Sequence, residues 1–491
     1  MGQNRLTVDF SAKHSGVSGS CIPVTINHPD GNIRFLVDFG SYLGIEEKMC
    51  KEEKVSRNYD PLDFSPGNLD FVILTHCHAD HNGRLPVLYK KQEKEKYQKK
   101  RKEPYTGKIY TTVDTAHMLP ISMGDNEKIV RINAKHKGIK PLYTSKEVDQ
   151  VLSNVVPCEF GETFFPIPNR TDVKVTFFTN GHLVGAATTL VQVTCRGKKE
   201  GINILFTGDY KGDNVFFDVP SLPDEVKRMP LYVVCESTYG ATDSGQVKEV
   251  FNSNIERWLE EDKKTILILS LSLERFQTIM YTLKEMQKTF LDRNIPIYGD
   301  GGLAVKYNNL YRYKLRIKES MREFLPGNFS YVCDEDRKRI IGTPEKKIIV
   351  ATSGMGSYGP AQEYLPRLVE RNDVGIHYTS YLCQNTTGYR MVNSEKEVLI
   401  GSVFKRKIAE VQTTSEFSKH AKRDEMLAFL TQFRDIRGIF INHGEADVQF
   451  QFAKYCHENL QLGENRVMLL GTGDTIRCDE YGWQKTFHSA I

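Results

Sequence analysis

Between Thr75 and His81 the chain reads Thr-His-Cys-His-Ala-Asp-His, which places His76, His78, Asp80 and His81 within six residues. Imidazole and carboxylate groups are costly to bury unless paired or bound to a metal, so packing alone explains such a run poorly. In a short loop alternate residues can point to one side. His76 and His78 could then share one cation while Asp80 and His81 serve a neighbouring one. The nitrogen and oxygen donor set suits zinc, with manganese or iron as alternatives. Two closed sites need more ligands than the run holds. Candidates are His182 in Asn180-Gly181-His182, Asp209 in Gly208-Asp209-Tyr210 and His443 in His443-Gly444-Glu445. Each stands beside a glycine, which lets the backbone turn sharply and come close to an ion.

The elements that must position these residues are short β-rich runs that end in a polar residue. Asn32 to Val37 leads to Asp38, and Phe71 to Leu74 leads to the histidine run. Val173 to Phe178 leads to His182, Ile202 to Phe206 to Asp209, Leu231 to Cys235 to Glu236, and Gly438 to Ile441 to His443. Ligand-grade residues at the same end of several strands can converge on one rim of a sheet. From about Ala241 to Glu410 the pattern changes to alternating strands and helices, which implies a parallel sheet flanked by helices. Strands are predicted at Thr265–Leu269, Ile295–Tyr298, Lys347–Thr352 and Val374–Tyr378, and helices at Val247–Leu259, Glu274–Lys288 and Asn308–Glu323. Ligand-bearing strands lie on both sides of this stretch. It therefore reads as a domain inserted within another, with boundaries at 1–240, 241–410 and 411–491.

A length of 491 residues suits such a two-domain arrangement. The apolar and charged fractions, 40% and 26%, are those of a soluble globular protein. The formal charge is only +4, and one segment, Lys90 to Glu103, more than accounts for it with eight Lys/Arg against three Glu. That segment reads as a solvated helical face, with a nucleic-acid contact as the alternative. The ten cysteines form no CxxC pair and read as reduced thiols. No apolar run approaches the roughly 20 residues of a membrane span. A soluble, cytoplasmic protein with no membrane partner is expected.

The chain resembles metallo-β-lactamase-fold nucleases of the β-CASP family, the group that includes the cleavage and polyadenylation endonuclease subunit and its prokaryotic ribonuclease relatives. The motifs that carry the resemblance run from about Gly16 to Glu445. They are Asp38 in Leu36-Val37-Asp38-Phe39-Gly40, the His76–His81 run, His182, Asp209, Glu236 in Glu236-Ser237-Thr238-Tyr239-Gly240, His420 in Phe417-Ser418-Lys419-His420-Ala421, and His443. Further similarity lies in Ile295 to Asp300, Ala351 to Met355 and Asn385 to Gly388. The resemblance implies a four-layer αββα sandwich carrying an inserted β-CASP domain. It implies two zinc ions, one held by His76, His78 and His182, the other by Asp80, His81 and His443, with Asp209 between them. His420, paired with Glu236, would protonate the leaving 3′-oxygen or bond to the scissile phosphate, and Asp38 would orient a metal-bound side chain. Family members that process DNA have an apolar residue where this chain has His443, so RNA is the implied substrate.

Three departures from the family pattern stand out. Lys422 takes the place of an aspartate that can support the catalytic histidine, Glu274 replaces a glycine near the presumed RNA path, and Ser380 to Gln384 stands where Gly-Tyr-Gln-Ala-Glu is usual. An endonucleolytic ribonuclease of RNA processing or decay, gripping single-stranded RNA between the two domains, is expected, as a homodimer or within an RNA-processing complex. Arg275, Lys306, Ser353 and Lys419 are candidate RNA contacts. Tyr298, Tyr378 and Tyr381 could stack on bases, although aromatics at strand ends are more often core. A 5′-exoribonuclease, a DNase, an esterase or a non-catalytic subunit are the competing readings. The Glu236/His420 pair and the inserted stretch argue against a small ester substrate, and the filled ligand positions argue against a non-catalytic role.

Overall fold

Alternation of apolar side chains along each strand decides which face of each sheet is buried. The computed structural model describes residues 6–44, 56–91, 102–195, 201–384, 386–463 and 466–486. The chain divides into two compact units, one formed by residues up to Ser244 and from Lys419 onward, the other by Gly245–Ser418.

The first unit opens with β1 (Thr7–Ser11), β2 (Ile22–Asn27), β3 (Ile33–Val37), β4 (Phe71–Ile73), β5 (Lys108–Thr112) and β6 (Val155–Cys158). It continues with β7 (Thr163–Phe164), β8 (Val173–Thr179), β9 (Ala187–Val193), β10 (Ile202–Phe206) and β11 (Pro230–Cys235). The other unit carries β12 (Thr265–Leu269), β13 (Ile297–Asp300), β14 (Phe329–Tyr331), β15 (Lys347–Ala351), β16 (Val374–Tyr378), β17 (Glu397–Ile400), β18 (Val403–Arg406) and β19 (Glu410–Thr413). The chain then returns to the first unit with β20 (Asp435–Ile441), β21 (Val467–Leu469), β22 (Thr475–Cys478) and β23 (Trp483–Thr486).

Among the described residues the first unit holds an eight-stranded sheet, β23-β22-β1-β2-β3-β4-β5-β6, and a seven-stranded sheet, β21-β20-β11-β10-β9-β8-β7. Phe10, Val24, Phe35 and Phe71 of one sheet share a core with Val175, Phe177, Val191 and Ile204 of the other, so the sheets pack face to face. The period of two is visible within β11. Tyr232 and Val234 enter that inner core, whereas Leu231, Val233 and Cys235 face an outer core with Phe429 and Phe452. Phe429 and Phe452 belong to the helices Arg423–Leu430 and Ala446–Asn459, and the helix Val113–Lys137 lies against β5 and β6 on the opposite side. The unit is an αββα sandwich.

In the second unit β14-β13-β15-β12-β16-β19 form one sheet whose pairings are all parallel. Its central strands β12, β15 and β16 are buried at every residue, as expected of a parallel sheet covered on both faces. The expected boundary at 410 falls at the start of β19, which pairs with β16 and so lies within this unit. Helices form at Phe251–Glu260, Arg275–Met286 and Gly302–Tyr313. The last was expected at Asn308–Glu323. It starts earlier because its buried stripe, Ala304, Tyr307, Asn308 and Tyr311, has helical spacing from the first turn onward. Glu274 does not offer its acid to an open path. It is buried with φ 62°, and its carboxylate accepts the Tyr311 hydroxyl hydrogen bond. Tyr378 is also buried, packed in this unit's core, so it presents no face for stacking.

Most of the basic run lies outside the described residues. At its described ends, Lys90 Nζ donates to the carbonyls of Pro141 and Leu142, and Lys102 Nζ donates to that of Leu62. Among the described residues no helix is long and apolar enough to cross a membrane.

Candidate metal centre

The chemistry-bearing residues other than His420 follow the ends of β3, β4, β8, β10, β11 and β20, all within the first unit, and His420 lies where the chain re-enters that unit after β19. Behind β4, Thr75 to His78 lead into the short helix Ala79–Asn82. The segment after β3 runs hard against this turn, with Phe39 N–H donating to the His81 carbonyl and Ser41 N–H to that of Ala79, both at 2.8 Å. Only a glycine fits between them, since a Cβ on Gly40 would lie 1.5 Å from the Asp80 carbonyl oxygen. Because that neighbour is backbone, Gly40→Ala has to push the turn aside, and a misplacement of about 1 Å in a reacting constellation costs on the order of 10²-fold. Elemental analysis of purified Gly40→Ala is expected to show less bound metal than wild type. Equal metal content would sink this expectation.

Two groups of ligand atoms come together here. His76, His78, His182 and Asp209 form one, and Asp80, His81, Asp209 and His443 the other, with the atoms of each group within 4.8 Å of one another. His78 Nδ1 lies 3.2 Å from His76 Nε2 and 3.0 Å from His182 Nε2. Asp209 Oδ2 is 3.7 Å from His76 Nε2 and 3.6 Å from His182 Nε2. Its other oxygen, Oδ1, is 3.2 Å from His81 Nε2 and 3.4 Å from His443 Nδ1. Asp80 Oδ2 stands 3.8 Å from His81 Nε2 and 3.9 Å from His443 Nε2. Nitrogen ligands 2.0–2.1 Å from a tetrahedral zinc ion are roughly 3.3 Å apart, so these spacings are those of a cation cage. Three buried atoms of the second group, His81 Nε2, Asp209 Oδ1 and His443 Nε2, have no well-aligned hydrogen bond, the first two facing each other at 3.2 Å. Each such group costs about 1–3 kcal/mol unless something else satisfies it, which a cation would do. The residues fit a pair of divalent ions.

The electrostatics agree. Burial pushes His76 and His182 well below the usual imidazole range and lowers His78 as well, leaving the neutral form that binds metal. Burial alone would raise Asp209, but His443, His81 and His420 hold it well below the carboxylate range. His81 is the counterpart. Burial would lower it, yet Asp209 and Asp38 lift it well above its ordinary value.

Asp38, at φ 62°, accepts from His81 Nδ1 at 2.7 Å and from the Thr75 hydroxyl and amide, both at 2.8 Å. His443 is also held at positive φ, 52°. Strained non-glycine residues of this kind persist where the surroundings over-determine them. The Thr238 hydroxyl lies 3.3 Å from His443 Nδ1, and the Lys419 carbonyl accepts from His182 Nδ1 at 2.9 Å. Neither threonine stood out in the sequence, because hydroxyl residues are common and their only signal is adjacency to a ligand or to Glu236. His420 Nδ1 lies 3.1 and 3.0 Å from the two Glu236 oxygens, while its Nε2 points toward Asp209 Oδ2 at 3.9 Å. Glu236 is fixed in turn by the amides of Tyr210 and Thr238 at 2.5 and 3.3 Å. Burial would lower His420, but Glu236 and then Asp209 outweigh it and raise its pKa.

Lys422 turns its ammonium over the Tyr239 ring, 3.3 Å from the centroid, and its own amide donates to Glu425 at 2.6 Å. Position 422 is thus the N-cap of the helix Arg423–Leu430, and the Glu236 carboxylate meets His420 without help from it. Of the candidate RNA contacts, Lys306 is exposed, Ser353 and Lys419 are half-buried, and Arg275 is buried with its guanidinium donating to the Thr379 carbonyl. Tyr381 is exposed and Tyr298 half-buried.

Three family models match the chain: the metallo-beta-lactamase superfamily over residues 24–168, the Beta-Casp domain over 276–391, and the Zn-dependent metallo-hydrolase RNA specificity domain over 406–468. The chain is a β-CASP member of the metallo-β-lactamase superfamily. Among its β-CASP relatives, the ribonuclease TTHA0252 of Thermus thermophilus is 28% identical over 91% of this chain and 95% of its own. The transcription termination factor FttA of Thermococcus kodakarensis is 28% identical over 87% of this chain and 65% of its own. The RNase aCSPSF2 of Saccharolobus solfataricus is 26% identical over 88% and 78%. The chain therefore spans about two thirds of the length of the termination factor that it matches.

Proposed function

We propose that this β-CASP metallo-hydrolase is a zinc-dependent ribonuclease that cuts single-stranded RNA endonucleolytically. The placement of Asp209 carries the reading. One of its oxygens faces each ligand group, and His420 Nε2 stands 3.9 Å away on the same side. His76, His78 and His182 would hold one ion, Asp80, His81 and His443 the other, and Asp209 both. Two such ions, when bound, supply an activated water and a positive field for a phosphodiester in displacement. His420 presents Nε2 to the leaving 3′-oxygen and gives it a proton, and Glu236 fixes the ring and favours its protonated form. Asp38 holds His81 with Nε2 toward Asp209, where it would be free to bind an ion. RNA is favoured by the matched RNA specificity domain and by two relatives that are ribonucleases by name.

Incubation with end-labelled linear RNA, covalently closed RNA circles and single-stranded DNA tests the proposal. Cleavage of the circles, with metal analysis giving two zinc ions per chain, is expected. Loss of linear RNA alone, as mononucleotides from one end, would replace the endonuclease with an exonuclease. Preference for DNA would overturn the substrate.

A further inference from the structure

A hydroxyl group has one proton, and the placement of that proton at Thr75 has consequences for His76. The Asp38 carboxylate can only accept. Thr75 Oγ1 lies 2.8 Å from Asp38 Oδ2 and therefore donates its proton there. Its lone pairs are left for His76 Nδ1, 3.1 Å away. A proton must then sit on His76 Nδ1, and the lone pair must sit on Nε2, the atom that faces His78 Nδ1 and Asp209 Oδ2. Thr75, His76 and Asp38 are each at most 2% exposed, so water competes poorly for these bonds. The same Asp38 oxygen takes the His81 Nδ1 proton directly. One carboxylate thus reaches a histidine of each ligand group, His81 by direct contact and His76 through Thr75.

The geometry assigns Thr75 as a positioning residue that locks His76 in the tautomer able to bind a cation, so that Asp38 orders both halves of the centre. The assignment rests on the two-cation reading of the site, but it concerns this chain's own hydrogen bonds. Its sharpest consequence is asymmetric. Removing the hydroxyl should weaken the ion that His76 would hold, whereas His81 keeps its direct contact with the Asp38 carboxylate. Loss of such an orienting partner typically costs 10–100-fold in metal affinity.

The test uses the full chain stripped of metal and titrated with zinc in competition with a chromophoric chelator, for wild type, Thr75→Val and Thr75→Ser. Wild type is expected to bind two ions. Thr75→Val should lose roughly 10–100-fold at one site and stay within a few-fold at the other. Thr75→Ser, which keeps the hydroxyl, should match wild type at both. Two unchanged sites in Thr75→Val, or both sites weakened alike, overturn the assignment. So does a Thr75→Ser variant as weak as Thr75→Val. If Thr75→Val is not recovered folded, Thr75→Ser decides alone, since it must still load both ions. Failure of the two-cation reading shows itself separately, as a wild-type chain that takes up fewer than two.

Discussion

Asp209→Ala is expected to empty both ion sites at once and to slow RNA cleavage by at least about 10³-fold. Asp209 alone belongs to both ligand groups, with Oδ1 toward His81 and His443 and Oδ2 toward His76 and His182. A pair of cations contributes several kcal/mol of charge stabilisation in phosphoryl chemistry, and each 1.36 kcal/mol is about a tenfold change in rate. Losing both therefore costs three decades or more. Asp80→Ala is the informative contrast, because Asp80 belongs to one group only. It should leave one ion bound. Elemental analysis beside single-turnover cleavage separates the two variants. An Asp209→Ala chain that keeps two ions would refute the shared-ligand role.

His420→Ala should do the opposite, keeping both ions while cleavage falls about 10²- to 10⁴-fold, the range for losing a positioned acid or base. The paired variant Glu236→Gln then reports the proton. In the wild type, Glu236 and Asp209 hold the His420 pKa above its ordinary value. An acid works only while protonated, so activity should fall as pH rises through that raised pKa. Replacing the Glu236 charge by an amide removes the larger of the two raising influences. The alkaline limb of the pH–rate profile should consequently move to lower pH, with little change in metal content. An unmoved limb would mean that His420 is not the acid.

How much of this could be read in the chain depends on the range of the forces involved. The His76–His81 run is local, and its chemistry is visible without a fold. His182, Asp209 and His443 needed only the observation that strands end just before them, since strand ends along one edge share a rim. The side chains that serve these residues are a different matter. Thr75 and Thr238 carry ordinary hydroxyls, and nothing in their spacing says where a single proton goes. Lys422 looked like the loss of a support for His420, because sequence cannot show that its position caps a helix and that its ammonium lies on Tyr239. Glu274 reads in the sequence as an acid near an RNA path, yet it is turned inward to Tyr311. For Tyr378 the core reading was the apt one, as its full burial shows. Charged and aromatic side chains are long enough to choose between water and the interior, and that choice is made by neighbours far away in sequence.

The interruption of the first unit has a consequence for the birth of the molecule. β20 lies between β11 and β21 in its sheet, and it leads to His443, yet it is synthesised after the entire second unit. At 5–20 residues per second, His443 trails His81 by roughly 20–70 s on the ribosome. For roughly 12–47 s after Asp209 is made, His76, His78, His81 and Asp209 exist without His443, and until His420 is made shortly before it they exist without either histidine. A nascent chain therefore passes through a stage that carries most of the donor set but lacks its proton donor. The order of synthesis therefore defers the complete centre, and with it the proposed activity, until β20 and the residues that follow it have joined the first unit.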